Sequence, residues 1–137
     1  MTISRSIDNE INLLIIRYSG VITFDDMKEH MLIVKDLVET SPELRSILII
    51  NDNTDAALIS GDDFITLTSH APLLKAKQPN IIVASDKLLF GLSRLFSSYS
   101  NTDGQGMKVV SKLEDACQLL NITVEQLDQS EPNKSHC

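Results

Sequence analysis

The chain of 137 residues has no tryptophan, two cysteines, four prolines and five glycines, and aromatic residues make up only 4% of it. Each shortage excludes something. Cys117, inside a helical pattern, and Cys137, in a polar ending, are too few for a disulfide scaffold, and their spacing fits no zinc motif. Scarce glycine and proline argue against a low-complexity or fibrous chain. Basic residues are outnumbered, 12 Lys and Arg against 19 Asp and Glu, for a net charge of −7. No segment gathers them into a stripe, so nucleic acid is not an expected partner. Long apolar runs are missing too. Leu13 to Ile16 and Ile47 to Ile50 fall far short of the about 20 residues that a membrane-spanning helix needs. The opening MTISRSIDNEIN lacks the apolar stretch of a secretory signal, and a cytoplasmic location is expected.

With 42% hydrophobic and 23% charged residues the chain can bury a core. Its length suits a single domain, assigned to residues 1–128. Residues 129–137, QSEPNKSHC, have little to bury and are expected to be disordered.

Two strand-like segments, at about 2–7 and 11–18, flank the turn signal Asp8-Asn9-Glu10 and suggest an opening hairpin. The second is apolar on both faces, the pattern of a strand covered on two sides. Thr23 with Asp26 forms a capping-box signature for a helix, in which Phe24, Met27, Met31, Val34 and Val38 share one arc. His30 lies at the edge of that arc, and Leu32 is stranded among charges. LRSILIIN reads as a central strand. Ser60 with Asp63 caps a second helix, whose inner face is Phe64, Leu67 and Ala71 and which stops before Pro72. NIIVAS is another strand, and Ser85 or Asp86 caps a third helix with Leu88, Leu89, Leu92, Leu95, Phe96 and Tyr99 on its inner arc. Phe90 points the other way. NTDGQG is a turn and MKVV a strand; Ser111 with Glu114 caps a fourth helix through Leu120, and Thr123 with Gln126 caps one more turn. In that fourth helix Cys117 shares a face with Leu113 and Leu120, as a small buried hydrophobe would. The order β-β-α-β-α-β-α-β-α implies right-handed crossovers and helices packed on a mixed, mainly parallel sheet.

The densest polar segment is IINDNTDAALISGDD, residues 49–63, which carries Asp52, Asp55, Asp62 and Asp63. Counted from Asn51, oxygen side chains fall at positions 1, 3, 5 and 12 of a calcium loop. Position 6, which needs glycine for its sharp turn, is Ala56, and the loop leaves a strand rather than a helix, so no metal is expected. A phosphoryl-accepting receiver would need a later strand ending in an acceptor aspartate two helices on; IIVASD comes one helix on. Gly104 and Gly106 precede a strand, not a helix, and so do not make a phosphate cradle. None of His30, His70 and His136 stands beside a serine or cysteine in a nucleophile turn. No enzyme class, catalytic residue or cofactor is supported.

Several pieces together resemble the SpoIIAA-like family, whose fold is shared with the STAS domains of anti-sigma factor antagonists and with Sec14-type lipid-binding domains. They are YSGVITFDDM, ILIIND, IIVASDKLLFGLSRLF and the ending VVSKLEDACQLL, spanning about residues 3–122. Two departures stand out. Leu119-Leu120 replaces the Trp-Leu of many such proteins, and Asn51-Asp52-Asn53-Thr54-Asp55 stands where a phosphorylated serine loop would fall. The resemblance implies a bacterial, non-enzymatic interaction module that binds a protein partner or a second copy of itself, with a regulatory role among the expectations. Its alternatives are a carrier or sensor of a small apolar or lipid-like ligand, and an antagonist switched by phosphorylation at Thr54 or Ser60.

In open α/β sheets ligands gather at the carboxyl ends of the strands. The residues expected there are Asn51, Asp52, Asn53, Thr54 and Asp55, with Ser85 and Lys87 at a helix N-terminus where an anion would meet free N–H groups. Ser85 and Asp86 acting only as caps is the simpler expectation for that helix. Leu32 and Phe90, apolar on polar helix faces, are candidates for a partner or dimer surface, although single exposed apolar residues are common.

Overall fold

The computed structural model describes residues 2–69, 79–100 and 107–129. Five strands, β1 (Ile3–Asp8), β2 (Leu13–Tyr18), β3 (Arg45–Ile50), β4 (Asn80–Ala84) and β5 (Met107–Val110), lie side by side in chain order in one sheet. The hairpin pair β1 and β2 is antiparallel, and every later neighbour is parallel. From β2 to β5 each crossover moves one place in the same direction. Crossovers of a single hand then put their helices on one face of the sheet. These are α1 (Phe24–Thr40), α2 (Gly61–Ser69) and α3 (Lys87–Ser100). After β5 the chain turns to the other face with α4 (Leu113–Leu120) and α5 (Val124–Gln129).

Strand alternation divides the core accordingly. Leu13, Ile15, Ile47, Ile49, Ile81 and Val83 meet Ala116, Cys117 and Leu120 of α4 and Leu127 of α5. On the opposite face Leu14, Ile16 and Tyr18 pack with Ile3, Ile22, Val34 and Leu44. This is why β2 is apolar on both faces. Met31 of α1 meets Leu67 of α2, and α3 rests on β4 and β5. Burial, reinforced by Glu114, Asp128 and Glu125, pushes the Cys117 thiol above its ordinary value, as suits an inert core residue.

The local signals behave unevenly. At α1 the Thr23 hydroxyl accepts from the Asp26 amide at 3.1 Å and the Asp26 carboxylate accepts from the Thr23 amide at 3.0 Å, so the acidic box is complete. Thr123 and Gln126 make the same reciprocal pair before α5. Ser111 does not cap α4. The N-cap is Lys112, with no side-chain bond, because the helix begins one residue later than a serine cap would require. Leu88 does not join the inner arc of α3 either. It is 72% exposed, because the buried face of the helix runs through Leu89 and Ser93, one turn apart, and Leu88 stands about 100° round from Leu89. Phe90 is half-buried rather than presented to solvent. Ala71, Pro72, residues 101–106 and 130–137 lie outside the described residues, as do the side chains of Phe64, Leu95, Phe96 and Tyr99.

Arg45, at the start of β3, ties the amino edge together. Its guanidinium donates to the carbonyls of Leu120, at the end of α4, and of Ile11, before β2. Beside it opens a cleft of about 440 Å³ lined by Ile11, Asn12, Glu43, Asn121 and Ile122.

Candidate functional site

The carboxyl edge of the sheet is built by three successive strand exits. After β2, Gly20 takes φ +72°, a left-handed turn that suits glycine. Its carbonyl then accepts the Asp55 amide at 2.8 Å, and the Ile22 amide donates to the Asp55 carbonyl at 2.9 Å. The loop after β3 is thereby stitched to the exit of β2. A methyl group on Gly20 would meet only the Thr2 Cγ2 atom at an ordinary 3.7 Å. The cost of Gly20→Ala is therefore conformational, about 1 kcal/mol, and should lower the urea midpoint by that energy divided by the m-value, about 0.3–1 M, with the m-value unchanged.

Tyr18, the last residue of β2, anchors the same loop. Its carbonyl accepts the Asn51 amide at 3.0 Å and the Thr54 hydroxyl at 3.1 Å, and the Thr54 amide donates to the Asn51 carbonyl at 3.0 Å. Asp55 closes the turn by accepting the Ala57 amide at 2.9 Å. Asp52 reaches sideways to the third exit, accepting the Ser85 hydroxyl at 2.6 Å. Asp86 caps α3, its carboxylate accepting from the Leu88 and Leu89 amides, and Lys87 stands exposed beside it. Ser60 accepts the Asp63 amide at 3.0 Å, and Asp62 and Asp63 occupy the first turn of α2, where their charge suits the helix dipole.

Asn51, Asp52, Asn53, Thr54, Asp55, Ser85 and Lys87 thus come together on one edge, as expected from the sequence. Leu32 and Phe90 do not join them. Leu32 is 67% exposed but stands about 12 Å along α1 from its start, at 1.5 Å per residue. Thr54 and Ser60 have structural duties, one holding the loop to Tyr18 and the other capping α2. Sequence reasoning missed Val21 and Leu58, exposed at 49% and 65% on the β2–α1 and β3–α2 connections, and Leu88, exposed at 72% in the first turn of α3. For Leu58 the signal was there, a bulky aliphatic in a loop that opens with five polar residues, Asn51 to Asp55.

Beneath this edge lies a polar cluster inside the apolar layer. Arg5 of β1 stands opposite Ile16 in the hairpin register and so faces α1. There its guanidinium donates to Nδ1 of His30 at 2.9 Å. The Tyr18 ring meets the His30 imidazole edge-to-face, centroids 5.6 Å apart. His30 is only 4% exposed. Burial, with the neighbouring Arg5 cation, lowers its pKa to about 4, so the imidazole is neutral at pH 7. Burial pushes the Tyr18 phenol upward. An inward-facing charge on an edge strand also discourages sheet-to-sheet pairing.

Among the described residues no three His, Cys, Asp or Glu side chains gather to hold a metal, and no helix is long and apolar enough to cross a membrane. No protein-family model and no curated protein sequence matches the chain. A solved structure does: an uncharacterized protein of the DUF3478 family, with a SpoIIAA-like fold, from Shewanella loihica PV-4. It is 15% identical with a TM-score of 0.55, covering 86% of this chain and 91% of that one. The chain has a SpoIIAA-like fold. In this SpoIIAA-like frame the 51–60 loop is the β3–α2 connection, flanked by the exits of β2 and β4.

Proposed function

We propose that the protein is a non-enzymatic interaction module that receives a protein partner on the carboxyl edge of its sheet. The observation that carries this is the exposure of Val21 and Leu58 on two adjacent connections of that edge and of Leu88 in the first turn of α3, just after the third. Each leaves aliphatic surface in water, where covering a leucine is worth about 1.5–3 kcal/mol. Around them the loop is ordered by its own hydrogen bonds, so binding there carries little ordering cost. The carboxylates of Asp52, Asp55 and Asp86 favour a partner with lysine or arginine at its rim.

A lipid-like ligand finds less support in the amino-edge cleft, whose Glu10, Glu43 and Arg45 walls are charged. A phosphorylation switch would have to withdraw Thr54 from Tyr18 or Ser60 from the α2 cap.

The test is recovery of partners on tagged protein from cells that express it. Leu58→Ser and Leu88→Ser should each weaken capture about tenfold, while leaving the melting temperature within about a degree. Leu119→Ser, an exposed leucine of α4 on the other face, should capture as wild type does. Equal capture by all three variants would refute the reading.

A further inference from the structure

Tyr18 belongs to two constructions at once. Its ring packs on His30, and its carbonyl holds the loop through the Asn51 amide and the Thr54 hydroxyl. We propose that Arg5, His30 and Tyr18 form an acid-sensitive latch on the 51–55 loop: protonation of His30 breaks its bond to Arg5, displaces the Tyr18 ring and loosens the loop.

In the neutral state His30 Nδ1 is an acceptor for the Arg5 guanidinium, which puts the imidazole proton on Nε2. A second proton can go only to Nδ1. Two donors would then face each other at 2.9 Å, both cationic, with the imidazole buried and the guanidinium half-buried. Nothing described nearby supplies a counter-charge. From β1 the facing group is Arg5 and from β2 it is Tyr18, whose burial keeps the phenol protonated. Along α1 itself, Asp26 is held in the Thr23 cap and Glu29 is exposed. From α2 the residue that meets α1 is the apolar Leu67, through Met31. The low pKa of His30 accords with this geometry. Relief comes from moving Arg5 or the imidazole. Arg5 sits on an edge strand paired on one side only, and the imidazole carries the Tyr18 ring with it.

The latch rests on the proposed function only for its consequence, control of partner access at that edge. The experiment is an NMR titration of the full chain from pH 7.5 to 3, following the His30 ring and the Asn51, Thr54 and Asp55 amides. In wild type these amides should lose protection at least tenfold between pH 5.5 and pH 3.5, in step with the His30 signal, while Ile47 and Ile82 in the central strands keep theirs. His30→Asn retains an acceptor at the Nδ1 position and cannot titrate, so its loop should not respond. Arg5→Met removes the opposing cation, so the His30 midpoint should rise by about one unit. A loop response that persists in His30→Asn, or a His30 titration that leaves the loop unmoved, would overturn the latch. Capture of the partner at pH 7 is a separate reading. If Leu58→Ser and Leu88→Ser capture normally while the loop still loosens in acid, the latch stands and the partner surface does not.

Discussion

Lowering the pH from 7.5 to 5 is expected to remove about 2 kcal/mol more stability from wild type than from His30→Asn, measured as the difference between their urea-unfolding curves. The sign follows from linkage. His30 has a folded pKa of about 4, against 6.5 for an unperturbed histidine. Above 6.5 neither state binds the proton, and the neutral, buried imidazole costs nothing. As the pH falls below 6.5 the unfolded chain takes up a proton that the folded protein refuses, so stability drops. The loss continues until the folded pKa is reached, where it totals about 3 kcal/mol at 1.36 kcal/mol per unit. Carboxylates contribute their own acid dependence, but they are common to both proteins and cancel in the difference. Parallel stability curves for wild type and His30→Asn would mean that His30 is not the buried, neutral acceptor of Arg5.

Arg45→Met should destabilise the protein by about 2–3 kcal/mol in chemical denaturation. The guanidinium satisfies two carbonyls that belong to different parts of the chain, Ile11 in the turn before β2 and Leu120 at the end of α4. Each carbonyl left without a donor costs about 1–3 kcal/mol, reduced here because the site is only partly buried. A cation at a helix C-terminus adds a favourable interaction with the dipole. Arg45→Lys keeps the charge but not the fork, and should recover less than half of the loss. Equal stability of Arg45→Met and wild type would mean that α4 is held by its apolar face alone.

How far the sequence reaches can be judged from these same residues. The boxes Thr23 with Asp26 and Thr123 with Gln126 are local and were readable, because both partners lie within one turn. The two-sided apolarity of β2 announced helices on both faces, and the helix start at Asp62 and Asp63 was equally plain. The grouping of the 51–55 loop with Ser85 also followed, since strand exits in such a sheet share an edge. What failed were questions of position relative to the sheet. Periodicity placed Leu88 on the inner arc of α3, but the buried face runs through Leu89 and Ser93, and a polar Ser93 hides that face from an apolar pattern. Ser111 has the spacing of a cap, yet the helix starts one residue later. Arg5 and His30 are 25 residues apart and meet only through the hairpin register and the seating of α1, neither of which a local pattern encodes. The same limit hid the exposure of Val21, Leu58 and Leu88.

The measurement that bears most directly on the partner surface is site-specific photo-crosslinking in the cells that make the protein, with a photoreactive residue at position 58, 88 or 119. Docking of the partner on the carboxyl edge gives adducts with the same protein at positions 58 and 88, identified by mass spectrometry, and none at position 119. Adducts at 119 without any at 58 or 88 would contradict it, and would move the partner to the α4 and α5 face.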